Sequence, residues 1–274
     1  LQAKWSDKLA NGFRYSVGVA LSDDKAKVVS YPSNPTNKIG DGVLYKGYTV
    51  GDIWGYVTGG ILQEGDFDGV GANGKPLYHG PYFKGGQAYP GYIWYQDLDH
   101  DGVITTGLNT VDDPGDRKVI GNNAPRYRYN ITANFQYKGF DLDLMFQGVG
   151  KRDYWLSSTS SYWGNGAGSW EVYNNSWTPE RTDAKFPMYG SGTGSYPQTG
   201  YLLDASYIKL KQVILGYTFP RTLINKIGLE KLRLNLAAYN LFTISDMPKY
   251  YDADYLSDAY PPKRTFSVGI QVGF

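Results

Sequence analysis

The chain has 274 residues, a formal net charge of +1 and no cysteine, and is rich in glycine (35) and tyrosine (26) with only 19% charged residues. The missing cysteine excludes disulfides, thiolate metal sites and cysteine nucleophiles, and the near-zero net charge gives no general electrostatic attraction for nucleic acid or anionic lipid. No run of roughly 18 apolar residues exists to make a transmembrane helix, whereas β-formers mixed with turn-formers point to many strands joined by loops.

The first expected strand covers residues 13–21, where Phe13, Tyr15, Val17, Val19 and Leu21 alternate with small or polar neighbours. After the short Ser22-Asp23-Asp24 turn a second strand is expected at 25–31. The clearest segment is 126–137, in which Tyr127, Tyr129, Ile131, Ala133, Phe135 and Tyr137 alternate without exception with Arg126, Arg128, Asn130, Thr132, Asn134 and Gln136. Across Lys138-Gly139, Phe140, Leu142, Leu144 and Phe146 repeat the period, so the two segments form a tight antiparallel hairpin. A strand at 207–219 puts Lys209 and Lys211 on the same face as Val213 and Leu215, which requires a bulge or the edge of a membrane zone. Leu232, Leu234 and Leu236 alternate again, and Phe266, Val268, Ile270, Val272 and Phe274 do so up to the last residue.

About seven strands result, and their connections alternate in length. Three long irregular stretches, at about 32–125, 150–200 and 246–263, face short or moderate turns, as in outer-membrane barrels with long loops outside the cell. The apolar alternation also suits a soluble β-sandwich, with that face turned inward. Aromatic residues at strand ends, polar faces fit for a watery lumen and an aromatic last residue favour the membrane. Tyr129, Ile131, Phe135, Val268 and Ile270 are then expected to face lipid, and Arg128, Asn130, Gln136 and Gln271 the lumen. Seven strands cannot close an even-numbered barrel, so further strands are expected on the N-terminal side. Strand 13–21 should pair with a strand absent from this sequence, and strand 265–274 with the barrel's first.

Residues 97–104, Asp-Leu-Asp-His-Asp-Gly-Val-Ile, place carboxylates at positions 1, 3 and 5 and glycine at 6, as in a calcium loop. Alternating carboxylates can converge on one hard cation, either Ca²⁺ or Mg²⁺, in a structural role. The expected ligands are Asp97, Asp99, Asp101 and the Val103 carbonyl. The twelfth position, Leu108, is not acidic, which leaves the last ligand open, and the alternative to a metal site is a solvated acidic turn. His79 and His100 stand near no nucleophile pattern, so no enzyme chemistry and no organic cofactor is expected. In the stretch 150–200, Trp155, Tyr162, Trp163, Trp170, Tyr173 and Trp177 could stack on sugar rings or hold peptide side chains; equally, they could only pack the loop.

Residues 90–150, from PGYIWYQDLDHDGVI through DRKVIGNNAPRYRYNITANFQYKGFDLDLMFQGVG, resemble the late barrel region of SusC-like TonB-dependent transporters. GYTVGDIWGYVTGGI, YIKLKQVILGYTFP, YNLFTIS and the closing PPKRTFSVGIQVGF add similar echoes in the family's order. The resemblance implies an all-β antiparallel transmembrane barrel of about 22 strands, of which 1–274 would be the C-terminal part without the N-terminal plug. It implies active import of oligosaccharides or peptides through the outer membrane of a Gram-negative bacterium, energised by TonB through the absent N-terminal region. A SusD-like surface lipoprotein would form the lid, and outer-membrane lipid would surround the wall. The family's loop continues into an Asp-Arg pair, here Asp116-Arg117, which makes Asp116 the distant carboxylate. The alternative from another class is a secreted calcium-binding β-sandwich that binds carbohydrate or mediates adhesion.

Overall fold

The computed structural model describes residues 1–40, 42–155, 170–191, 195–248, 251–256 and 262–274. They fall into two compact units. One comprises Leu1–Asp24, Pro125–Arg152 and Asp204–Phe274; the other comprises Lys25–Ala124 and Asp153–Leu203.

The first unit is a seven-stranded antiparallel sheet whose strands neighbour one another in chain order: β1 (Gln2–Lys8), β2 (Arg14–Ser22), β3 (Arg126–Tyr137), β4 (Phe140–Lys151), β5 (Tyr207–Thr218), β6 (Lys231–Ser245) and β7 (Thr265–Gly273). Residues opposite one another in an antiparallel ladder point to the same face, so register decides sidedness. Phe135 stands opposite Leu142, Leu142 opposite Leu215, Leu215 opposite Leu236, and Leu236 opposite Val268. One residue along, Gln136, Asp141, Gly216, Asn235 and Gly269 make the matching polar row. The expected partition of Tyr129, Ile131, Phe135, Val268 and Ile270 against Arg128, Asn130, Gln136 and Gln271 follows this register. The apolar row is not buried under a second sheet: Val268 is 74% and Ile270 67% exposed. A soluble sandwich would enclose them.

The expected bulge lies at Lys211. Gln212 faces Met145, but Leu210 faces Phe146, so one residue of β5 has no partner in the ladder. The slip returns Leu210 to the apolar face and moves Lys209 opposite Gln147 on the polar face. The neighbouring β6 shifts at the same level, where Asn240 takes a left-handed φ of 54°.

Three sequence expectations are corrected. Residues 25–31 form no strand; Lys27 makes one isolated bridge to Thr49. The carboxylates of Asp23 and Asp24, expected in a tight turn, instead pair with Arg126 and Arg128 of β3. Strand 13–21 does not await a partner from outside the sequence, because β2 pairs with β1 on one side and β3 on the other. β1 escaped notice because Gln2–Lys8 carries a single large apolar residue, Trp5, and its period is hidden by polar side chains. β6 reaches Ser245, where the expected loop at 246–263 begins, and the break in its alternation at Asn240 is a bulge and not an end.

The second unit takes up the stretches expected to be irregular. Arg117–Asn122 pairs with Asp52–Tyr56, and Ile93–Tyr95 pairs with Thr58–Ile61. Their core is aromatic: Tyr56 lies 4.9 Å from Tyr95 and 5.5 Å from Phe83, centroid to centroid, and Tyr196 closes on Phe83 at 5.2 Å. Burial lifts the Tyr56 hydroxyl to a pKa of about 12. Gln198, fully buried, donates to the Tyr95 hydroxyl at 3.0 Å and accepts from Thr58 Oγ1 at 3.0 Å. These bonds satisfy an amide that would otherwise be costly to bury.

If the apolar face meets lipid, Ile131→Arg should destabilise the folded full-length barrel by about 2 to 4 kcal/mol near the midplane, whereas Asn130→Arg on the polar face should cost far less. Denaturant titration in lipid vesicles measures both; equal losses would contradict the sidedness.

Candidate functional site

The sheet's polar face carries a bonded set of charges. Arg233 makes a bidentate ion pair with Asp141 across β5, over the position of Gly216. A Cβ at Gly216 would collide with the guanidinium and with Asp141, so this glycine provides the room for the pair. Asn134 donates to Asp143 at 2.6 Å and Gln136 donates to Asn134 at 3.1 Å. A face of this kind can line a watery passage, because its charges are paired while their remaining lone pairs and protons stay available.

Near the other end of the same face, the bulge delivers Lys209 into a cluster that sequence reasoning missed. Lys209 is 1% exposed, and its ammonium lies 2.7 Å from Asp252 and 3.6 Å from Asp254. Lys211 meets Asp254 at 2.8 Å, and the Tyr207 hydroxyl donates to Asp254 at 2.6 Å. Desolvation pushes the Asp254 carboxyl up, but the Lys211 and Tyr207 hydrogen bonds outweigh it and hold its pKa below the ordinary aspartate value. The cluster pins residues 251–256, part of the β6–β7 connection, onto the sheet beside buried Met247, Tyr251 and Ala253. The pairing across 43 residues leaves no local sequence signal. A hint was the pair of lysines in an otherwise apolar strand.

The aspartate loop belongs to the second unit. Oxygen atoms of Asp97, Asp99 and Asp116 lie within 4.8 Å of one another, so the structure brings the distant Asp116 to the loop. Asp116 is fully buried and accepts from the backbone N–H of Leu98 at 2.8 Å and of Thr105 at 2.7 Å, which fixes its carboxylate in place. Asp97 accepts from the His100 and Gly102 N–H groups at 2.7 and 2.9 Å. Desolvation raises the Asp97 carboxyl, yet those bonds prevail and leave it below its ordinary pKa. For Asp99 desolvation prevails and raises it. Gly102 turns the chain at φ 86°. Asp101 is not in the converging group; its carboxylate accepts from the Val103 N–H at 2.8 Å. The all-oxygen donor set, with lone pairs left over, fits a hard divalent cation.

The six candidate aromatics separate. Trp177 is 4% exposed and donates to Gln63 Oε1 at 2.9 Å, so it packs the second unit and offers no surface to a ligand. Trp170 and Tyr173, in the short helix Trp170–Asn174, are exposed and stack at 5.7 Å with planes 23° apart. Tyr189 abuts Tyr173 edge-on at 5.7 Å. Trp155 is half-buried. Tyr162 and Trp163 lie outside the described residues.

An antiparallel sheet with an exposed apolar face, a polar face of paired charges and short turns at one end defines the class: part of a transmembrane β-barrel. No family model matches the chain. TonB-dependent receptor P3 of Formosa agariphila is 28% identical over 96% of the chain and 27% of its own length. TonB-dependent receptor SusC of Bacteroides thetaiotaomicron is 27% identical over 80% of the chain and 23% of its own length. A solved structure of the RagAB peptide importer in its open-open state superposes with a TM-score of 0.63 at 19% identity, covering the whole chain and 28% of that protein. Over most of its length the chain is similar to SusC-like TonB-dependent receptors, as the sequence resemblance implied, and it spans about a quarter of the curated relatives it matches. The relatives are receptors and not enzymes, in line with the lack of any nucleophile pattern.

Asp252→Asn removes the nearest counter-charge of a buried lysine and should destabilise the full-length protein by about 3 kcal/mol. For Asp254 the sign is set by a depressed carboxyl: its contribution is present above the ordinary aspartate pKa and is lost as pH falls through the lower folded-state value. Hydrogen-exchange protection factors of residues 251–256, corrected for the pH dependence of intrinsic exchange, should therefore be unchanged on going from neutral to mildly acidic buffer and should fall only in strong acid. Opening at mildly acidic pH would show that the pairs do not hold this segment.

Proposed function

We propose that this segment forms wall and outer loops of an active importer in the bacterial outer membrane, which carries oligosaccharides or peptides inward without chemical change. The observation behind this is the two-faced sheet: an exposed apolar face suited to lipid and a polar face of bonded charges suited to a water-filled lumen. Energy would come from TonB through the part of the protein outside this segment. A SusD-like lipoprotein would cover the outer mouth, in keeping with likeness to SusC and to the RagAB peptide importer. Deleting the gene for the full-length protein should abolish uptake of its substrate, and so should collapsing the proton-motive force. Uptake that survives the collapse would indicate a passive porin.

Within the outer loops, we propose that Asp97, Asp99 and Asp116 hold one structural Ca²⁺ or Mg²⁺, with Asp101 and the Val103 carbonyl as further candidates. A cation would neutralise three carboxylates that crowd one another, and so fix the loop to the buried strand at Val103–Ile104. Calcium added to the metal-stripped full-length protein should raise its unfolding temperature, and Asp116→Asn should remove most of that rise. Identical melting of both proteins with and without either cation would leave the cluster as hydrogen-bonded turn structure only.

Trp170 and Tyr173 are the proposed stacking surface for substrate, with Trp155, Tyr162 and Trp163 as further members. Trp170→Ala should weaken substrate binding by about 1 kcal/mol, read by calorimetry with the purified transporter. Trp177→Ala should instead lower stability. Unaltered affinity in Trp170→Ala would assign the pair to loop packing.

A further inference from the structure

The connection between β5 and β6 exposes apolar side chains that the sheet does not account for. Residues Arg221–Ile224 form one α-turn and Asn225–Ile227 a 3₁₀ turn. Ile224 is buried, but Leu223 is 56% and Ile227 67% exposed. Leu223 lies in the first of these turns and Ile227 in the second. Arg221 and Lys226, also exposed, flank them.

This connection continues a belt of aromatic rings on the apolar face. Tyr217 lies 4.4 Å from Phe140 and 4.8 Å from Phe219, and the adjacent hairpin adds Tyr137. Lys138, at the tip of that hairpin, sets its ammonium 5.1 Å from the Tyr137 ring centroid. It does so from a left-handed φ of 46°, a conformation that asparagine or glycine takes with less strain. Clustered aromatic rings, cations and exposed aliphatic side chains together are the chemistry that membrane interfaces select.

We propose that Leu223, Ile227, Arg221, Lys226 and Lys138 form an interfacial anchor that seats on anionic lipid headgroups of the leaflet at the short-turn end of the barrel. The two aliphatic side chains reach the acyl boundary and the three cations meet headgroup phosphates. The occupant is lipid and not a protein in the lumen, because the connection starts at Phe219, whose ring lies against Tyr217 of the apolar face and whose N–H still donates to the Leu232 carbonyl at 3.0 Å, opposite to the face of Asp141 and Arg233. The near-zero charge of the whole chain does not oppose this, since headgroup attraction acts over about a Debye length. The proposal rests on the barrel reading.

The test uses the full-length transporter in lipid nanodiscs, with a spin label at Ile227→Cys, a control label at Leu236→Cys on the apolar face, and native mass spectrometry of retained lipid. At Ile227 the label should be open to oxygen and shielded from a water-soluble nickel complex. Retention of phosphatidylglycerol over phosphatidylcholine should fall about fivefold for each of Lys138→Gln, Arg221→Gln and Lys226→Gln. A label at Ile227 fully open to nickel, or shielded from both reagents, overturns the anchor, as does unchanged lipid preference in the triple variant. A label at Leu236 that oxygen cannot reach counts against the barrel itself, which separates the two failures.

Discussion

Parity governs the first unit. In a paired strand each step of one residue reverses the face, and a sheet between lipid and water tolerates no error, because a charge turned to hydrocarbon costs several kcal/mol. β5 shows how the fold meets this demand. Read straight through, its lysines would share a face with Val213 and Leu215. One unpaired residue, Lys211, resets the phase so that Lys209 turns to the polar side and Leu210 to the apolar side. The matching slip in β6 at Asn240 keeps the neighbouring ladder closed.

The reset has a second consequence. Once Lys209 is on the polar face it is too buried to remain without counter-charge, and Asp252 and Asp254 supply it from the β6–β7 connection. The bulge and the pinned segment are therefore one device: the backbone irregularity creates a buried cation, and that cation fixes where residues 251–256 lie. A buried ion pair of this kind is weak as a source of stability and stronger as a means of specifying one arrangement.

The second unit uses different means. It has little continuous sheet and relies on tyrosine rings packed edge and face, with hydroxyls and a buried glutamine satisfying one another. Aromatic packing fills irregular space with few conformational degrees of freedom. That suits chain segments which must hold a shape without long ladders. Asp116 binds the acidic loop to the strand that follows, through two backbone amides separated by several residues.

The sequence by itself determined the strands of strict alternation, β2, β3, β4 and β7, the partition of their faces, and the conflict at Lys209 and Lys211 that either a bulge or a membrane-zone edge would resolve. Each of these follows from local periodicity, which a single strand carries whole. It also marked Asp97, Asp99 and Asp101, because their spacing is local. Only the tertiary structure decided that Gln2–Lys8 is a strand, since its Trp5 gains meaning only opposite Val17. Likewise, it decided that residues 25–31 are not a strand, that Asp101 stays outside the acidic group which Asp116 joins as the family resemblance implied, that Trp177 is core while Trp170 is surface, and that Lys209 meets Asp252. These outcomes depend on which distant residue arrives at a given place. Burial and charge pairing are properties of that arrival, and no period in the chain encodes them.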